Sequence, residues 1–211
     1  MSKLRVLTAT ALVTAFAVSA GYAQQQQQQT QRLAGTIDKI EGSTIVGKGR
    51  DGSAVTIKLP DNVIVTAVFK ATVADIKPGA YIGSGAVPQA DGSQKAVEVH
   101  IFAESMRGQG DGHRPGWYGA PNGTMTNGAV EPTGTVSTVG AGGEPTFVVK
   151  YKEGDKRIVV PANAHIVRYE VGSKDDLKAG APFSIQAAAK QPDGTFTTPR
   201  INVGKDGGQP F

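Results

Sequence analysis

The sequence predicts an all-β protein built from two tandem small barrels. Three observations carry that expectation: an internal repeat, period-two alternation of apolar residues, and turn dipeptides between the alternating runs. Residues 33–104 contain Gly35-Thr36-Ile37, Pro60-Asp61-Asn62, Asp75-Ile76-Lys77-Pro78-Gly79-Ala80 and Asp91-Gly92-Ser93. Residues 132–204 give Gly134-Thr135-Val136, Pro161-Ala162-Asn163, Asp176-Leu177-Lys178-Ala179-Gly180-Ala181 and Asp193-Gly194-Thr195 in the same order, at offsets of 99, 101, 101 and 102. A period this long means two domains rather than a solenoid.

Taken in chain order, residues 1–23 read as a secretory signal peptide. Lys3 and Arg5 form the basic start, Val6 to Val18 the apolar run, and Gly21-Tyr22-Ala23 the small-residue cleavage site. Such a run reaches roughly 20 Å as a helix, short of the ~30 Å hydrocarbon core. No later run is long and apolar enough to span, so the mature chain is expected to have no transmembrane helix and to be periplasmic. Residues 24–31, mostly Gln, have nothing to bury and read as a solvated spacer. The absence of Cys excludes a lipobox, thiol chemistry and disulfides, so the core alone must hold the fold. Loss of Lys3 and Arg5 lowers the formal charge from +4 to +2, which argues against a nucleic-acid partner.

The first repeat is placed at 32–104 and the second at 131–205, with a linker loop at 105–130 and a tail at 206–211. Val55, Ile57 and Leu59 alternate with polar residues, as do Val97, Val99 and Ile101, Phe147, Val149 and Tyr151, and Phe183, Ile185 and Ala187. Asp51-Gly52, Asp91-Gly92 and Asp193-Gly194 mark turns. Ile37 and Ile40 are three apart, as are Val136 and Val139, so a bulge is expected to turn both members inward. Thr72-x-x-Asp75 and Ser173-x-x-Asp176 have capping-box spacing, and Gly79 and Gly180 sit where a short helix between strands three and four would stop. Five or six strands with that helix describe an OB-like closed barrel in each repeat.

The chemistry-bearing residues cluster in the linker. Arg107, Asp111, His113, Arg114, Trp117 and Tyr118 lie among glycines and prolines. One reading packs Trp117 and Tyr118 between the barrels. A second has the loop present its cations and aromatics to an anionic or sugar-containing polymer. A third is a metal site from Glu104, Asp111 and His113. His100 is expected on a solvated face with Glu98, and His165 as a packed histidine. Lys48, Arg50 and Lys58, and in the second repeat Lys150, Lys152, Lys156 and Arg157, occupy the strands by which OB-like barrels bind. Nucleophile–base, paired-carboxylate and phosphate-loop motifs are absent, so neither catalysis nor a cofactor is expected. The favoured function is a non-catalytic binding module that contacts an envelope polymer or a periplasmic protein. A metal-handling accessory protein and a hydrolase of unfamiliar type are the alternatives.

The landmarks Ala74-Asp75-Ile76-Lys77-Pro78-Gly79 and Asp91-Gly92-Ser93 resemble those of a family of bacterial exported domains, the "domain of unknown function 5666" type. The second repeat departs from the pattern at Asp175 and Leu177. Glu104-Ser105-Met106-Arg107-Gly108 and Met125-Thr126-Asn127 are similar to stretches in related chains. The resemblance implies small OB-like β-barrels and supplies no activity. Some relatives carry a label linking them to metal transport, but a permease needs several membrane spans.

Overall fold

The computed structural model describes residues 30–117, 119–132 and 143–210. The expected signal peptide, most of the expected spacer, Tyr118, Gly134-Thr135-Val136 and Val139 lie outside the described residues. Each alternating run is a strand. The first repeat gives β1 (Thr30–Glu41), β2 (Thr44–Gly49), β3 (Ala54–Lys58), β4 (Ile64–Lys70), β5 (Tyr81–Pro88) and β6 (Gln94–Phe102). After it come β7 (Gly112–Trp117), β8 (Gly123–Val130), β9 (Thr146–Tyr151), β10 (Gly154–Val159), β11 (His165–Val171), β12 (Pro182–Lys190), β13 (Phe196–Thr197) and β14 (Arg200–Lys205).

Among the described residues the pairings close two five-strand rings, and neither ring coincides with a repeat. In the first ring β1, β2 and β3 follow one another, β3 runs parallel to β13, and β12 closes antiparallel on β1. In the second ring β8, β9 and β10 follow one another, β10 runs parallel to β6, and β5 closes antiparallel on β8. The second ring is therefore one continuous stretch, 81–159, whereas the first joins two distant parts of the described chain, 30–58 and 182–197. Their cores are separate. Ile37, Ile45, Ile57, Phe183, Ile185 and Val203 fill the first, and Ile82, Val99, Phe147, Val149 and Ile158 the second.

The expected division at 32–104 and 131–205 is replaced by this nested arrangement, and β4 supplies the reason. β4 pairs with β14 on one edge and β11 on the other, so it leads the chain out of the first ring instead of back into it. β5 then starts on the far side. The stretch expected as a linker, 105–130, holds β7 and β8, and β8 is a strand of the second ring, between β5 and β9.

The repeat landmarks take on physical roles in this frame. Gly180 N–H donates to the carbonyl of Ile37 (2.7 Å) and Ile37 N–H to that of Ala181 (3.0 Å). Gly79 N–H donates to Val130 (2.9 Å) and Val130 N–H to Ala80 (2.8 Å) in the same way. Gly128-Ala129-Val130 is thus held as Gly35-Thr36-Ile37 is. Both glycines are required by close approach. A Cβ would meet the Lys48 carbonyl oxygen at 2.0 Å from Gly35 and the Lys150 carbonyl oxygen at 2.3 Å from Gly128.

Asp75 and Asp176 accept the N–H of Thr72 (2.8 Å) and Ser173 (2.9 Å), each over a single 3-10 turn. Asp51, Asp91 and Asp193 each accept both the N–H and the hydroxyl of the residue two further on, which fixes the three Asp-Gly turns. The irregularity between Ile37 and Lys39 is present in β1, but it buries Ile37 and leaves Ile40 37% exposed, since the ring ends there. In β12 a similar shift puts Ala188 rather than Ala187 into the core. The tail is docked rather than loose. Gly208 is buried against β4, and Arg50 Nη2 donates to the Pro210 carbonyl (3.0 Å).

Phe183 is 1% exposed at the closure of the first ring. Phe183→Ala is expected to cost about 3–5 kcal/mol in urea unfolding. Val171→Ser, on a side chain 71% exposed, should stay within ~0.5 kcal/mol of the parent.

Candidate functional site

The strands β14, β4 and β11 lie side by side between the rings and continue onto β6 of the second ring. Their registers place Asn202 beside Thr66, Val68 beside Tyr169, Val167 beside His100, and Tyr169 beside Phe102, so these side chains share one face. A cleft of about 300 Å³ opens on that face. Its floor is Thr66, His100, Tyr169 and Asn202. Ser184 and Gln186 of β12 form one wall, and Arg114, Met125 and Asn127 of β7 and β8 the other. Met106, Gln109 and Arg200 complete the rim.

The floor is aromatic as well as polar. His100 stacks on Tyr169 with centroids 4.4 Å apart, and Phe102 meets Tyr169 edge-on at 5.6 Å. The Tyr169 hydroxyl lies 3.2 Å from His100 Nε2. Asn202 Nδ2 donates to Ser184 Oγ (3.3 Å). Asn127 donates to the Gln109 carbonyl (3.0 Å), while its Oδ1 is buried without a hydrogen-bond partner among the described residues. Asn127 lies over Gly83, where a Cβ would come within 2.8 Å of that oxygen.

Beside the floor, Glu98 is wholly buried with Oε1 against His100 Nε2, and Oε2 has no hydrogen-bond partner among the described residues. Burial raises the Glu98 carboxyl from 4.5 to about 8, with Arg32 and Arg50 pulling it back down. Burial, aided by the His165 charge, lowers the His100 imidazole from 6.5 to about 3. At neutral pH both groups are therefore held uncharged, a carboxylic acid against a neutral imidazole. The expectation that His100 and Glu98 face solvent is corrected. β6 is paired on both edges, with β5 on one side and β10 and β11 on the other, and its second face is covered.

The linker candidates scatter. Arg114 reaches the cleft and donates to the Gly110 carbonyl (2.8 Å). Arg107 is engaged locally, with Glu104 (2.5 Å), the Gly79 carbonyl (2.9 Å) and the Tyr81 ring. Trp117 is buried over Gly85, where a Cβ would lie 2.2 Å from the indole. His113 Nδ1 pairs with Thr126 Oγ1 (2.8 Å) beside the Tyr151 ring. Asp111 takes up the Lys152 N–H (2.9 Å) and the Tyr81 hydroxyl (3.2 Å), and burial and that carboxylate push Tyr81 up to about 12. Lys48 and Arg50 lie together on the first ring, away from the cleft. Among the described residues no three His, Asp or Glu side chains gather around one point. His165 is half-buried and meets the Gln209 carbonyl at 2.8 Å.

Thr66, His100, Asn127, Ser184 and Asn202 had no signal as site residues in the sequence. They come together only through pairing between the repeats. No helix among the described residues is long and apolar enough to cross a membrane. The chain matches no family model, no curated protein and no solved structure.

The folded state keeps a proton on Glu98 that the unfolded chain gives up above 4.5, so that contribution is complete below pH 4.5 and lost as pH rises to about 8. His100 acts oppositely. Its contribution is complete above pH 6.5 and lost as pH falls to about 3. Glu98→Gln should therefore gain stability relative to the parent as pH rises from 4.5 to about 8, by up to ~1.4 kcal/mol per pH unit. Urea unfolding at several pH values checks this, and parallel profiles for the two proteins would show that Glu98 is ionised in the fold.

Proposed function

We propose that the chain is an exported, non-catalytic periplasmic binding module of OB-like barrels whose ligand site is the central cleft and whose ligand is a hydroxyl-rich envelope polymer. The observation that carries this reading is the composition of the cleft: planar amides and guanidinium groups around an aromatic floor. Asn127, Asn202, Gln186, Arg114 and Arg200 supply donors and acceptors in fixed planes, and Tyr169 and His100 supply a flat apolar surface. Sugar rings present that combination of hydroxyl edges and C–H faces. The five-strand rings and the exported-family landmarks support the OB-like and periplasmic parts of the reading.

The cleft draws on both repeats. Thr66, His100 and Asn127 come from one side of the chain's midpoint or just past it, and Ser184 and Asn202 from the end. Ligand binding on this reading needs both repeats at once.

Calorimetry and thermal unfolding of residues 24–211 against soluble peptidoglycan fragments and neutral glucan oligomers test the proposal. A ligand at a hundred times its Kd should stabilise by about 2.7 kcal/mol. Asn127→Ala and Asn202→Ala are each expected to weaken binding by ~1–2 kcal/mol, and Lys48→Ala to leave it unchanged. Equal binding by the cleft variants and the parent, or no binding of any glycan, would sink the reading.

A further inference from the structure

The pairing between the repeats is self-complementary. Val68 pairs with Tyr169, and Tyr169 stands 101 residues after Val68, which is the repeat spacing. Around that point Thr66 pairs with Val171, the counterpart of Lys70, and Lys70 pairs with Val167, the counterpart of Thr66. Each repeat therefore offers the other the same surface, as the two halves of an isologous dimer do.

The remaining cross-repeat pairings obey the same symmetry. Gly35 with Phe183 and Thr36 with Pro182 are matched by Gly128 with Ile82 and Ala129 with Tyr81. The parallel contact of Ile57 with Phe196 is matched by Ile158 with Gln94. Val65 beside Ile201 is matched by Ile166 beside Val99. Seven of the fifteen strand pairings among the described residues join a strand before Ala103 to one after Gly110. One covalent connection, 103–111, is all that makes the partner intramolecular. It is short and rich in glycine, with Gly108 and Gly110 at positive φ (84 and 60°).

We infer that this surface is a self-recognition surface, and that a second copy of this chain can occupy it. In such an assembly the first repeat of one molecule closes both rings with the second repeat of another. Nothing in the recognition changes, because the strands, registers and cores are those already formed within one chain. The exchanged pair carries two central clefts, each with residues from both molecules, and so would grip a polymer at two points. The inference stands whatever the cleft binds.

The test is full-length protein lacking Gly108-Gln109-Gly110, which shortens the 103–111 connection. Light scattering is expected to show twice the parent's mass with an unchanged far-ultraviolet spectrum. A folded protein of the parent's mass overturns the inference. Should the shortened chain fail to fold, a second full-length chain with a protease site between Gly108 and Gln109 decides. After native cleavage the two pieces should stay together as one particle, and pieces from tagged and untagged preparations should exchange partners on mixing. Separate elution of the two pieces, or no exchange after partial unfolding and refolding, would rule out recognition between separate chains.

Discussion

The antiparallel contact of β4 with β11 decides where the other strands can go. β4 leaves the first ring after β3 and is hydrogen-bonded on both edges, so it cannot fold back to close a ring within its own repeat. Once β4 lies against β11, β5 and β6 start beside β8 and β10, and β12 to β14 are left for β1 to β3. The nested rings, the docked tail and the central cleft all follow. The apolar cores are satisfied either way, since each repeat carries the same kind of inward residues. What the central pair adds is a second sheet surface that a self-contained barrel would not possess.

That surface explains why polar side chains are buried here. Glu98 and His100 occupy a face that β6 would show to water in an isolated barrel. Covered from both edges and from above, each is cheaper to keep neutral than charged, and their mutual contact offsets part of the desolvation. Well-packed apolar residues could fill the same volume at no such cost. The ion pairs lie elsewhere. Lys58 with Asp193 and Arg157 with Asp91 bridge the parallel seams, and at about half exposure each is screened by solvent.

Much of the local structure was legible in the chain. Alternation at Val55-Ile57-Leu59 and Phe147-Val149 marks buried strands because one face of each strand meets a core. Asp75 and Asp176 announced their turns because the carboxylate spacing matches the backbone N–H it must reach. The partner of each strand was not legible. Two copies of one pattern present equivalent edges, and only the geometry of β4 selects between closing within a repeat and across it. The clamp of Gly79 and Ala80 on Gly128-Ala129-Val130 was not legible either, because a Gly-small-Val pattern also occurs at Gly134-Thr135-Val136. The site was hidden for the same cause, because Asn202 and Asn127 acquire meaning only by lining one cleft.

The nesting of the rings also sets an order of events during biogenesis. The second ring is complete once Val159 has emerged, whereas β1 to β3 must wait for β12 to β14 at the other end. A chain delivered from its N-terminus therefore carries a three-strand meander, paired within itself but open along the outer edges of β1 and β3, through most of its synthesis. Closure of that ring spans nearly the whole described chain and is slow by its contact order. The waiting strands are the part of the molecule most exposed to mispairing, and protection of β1 to β3 falls to whatever meets the chain before its last strands arrive.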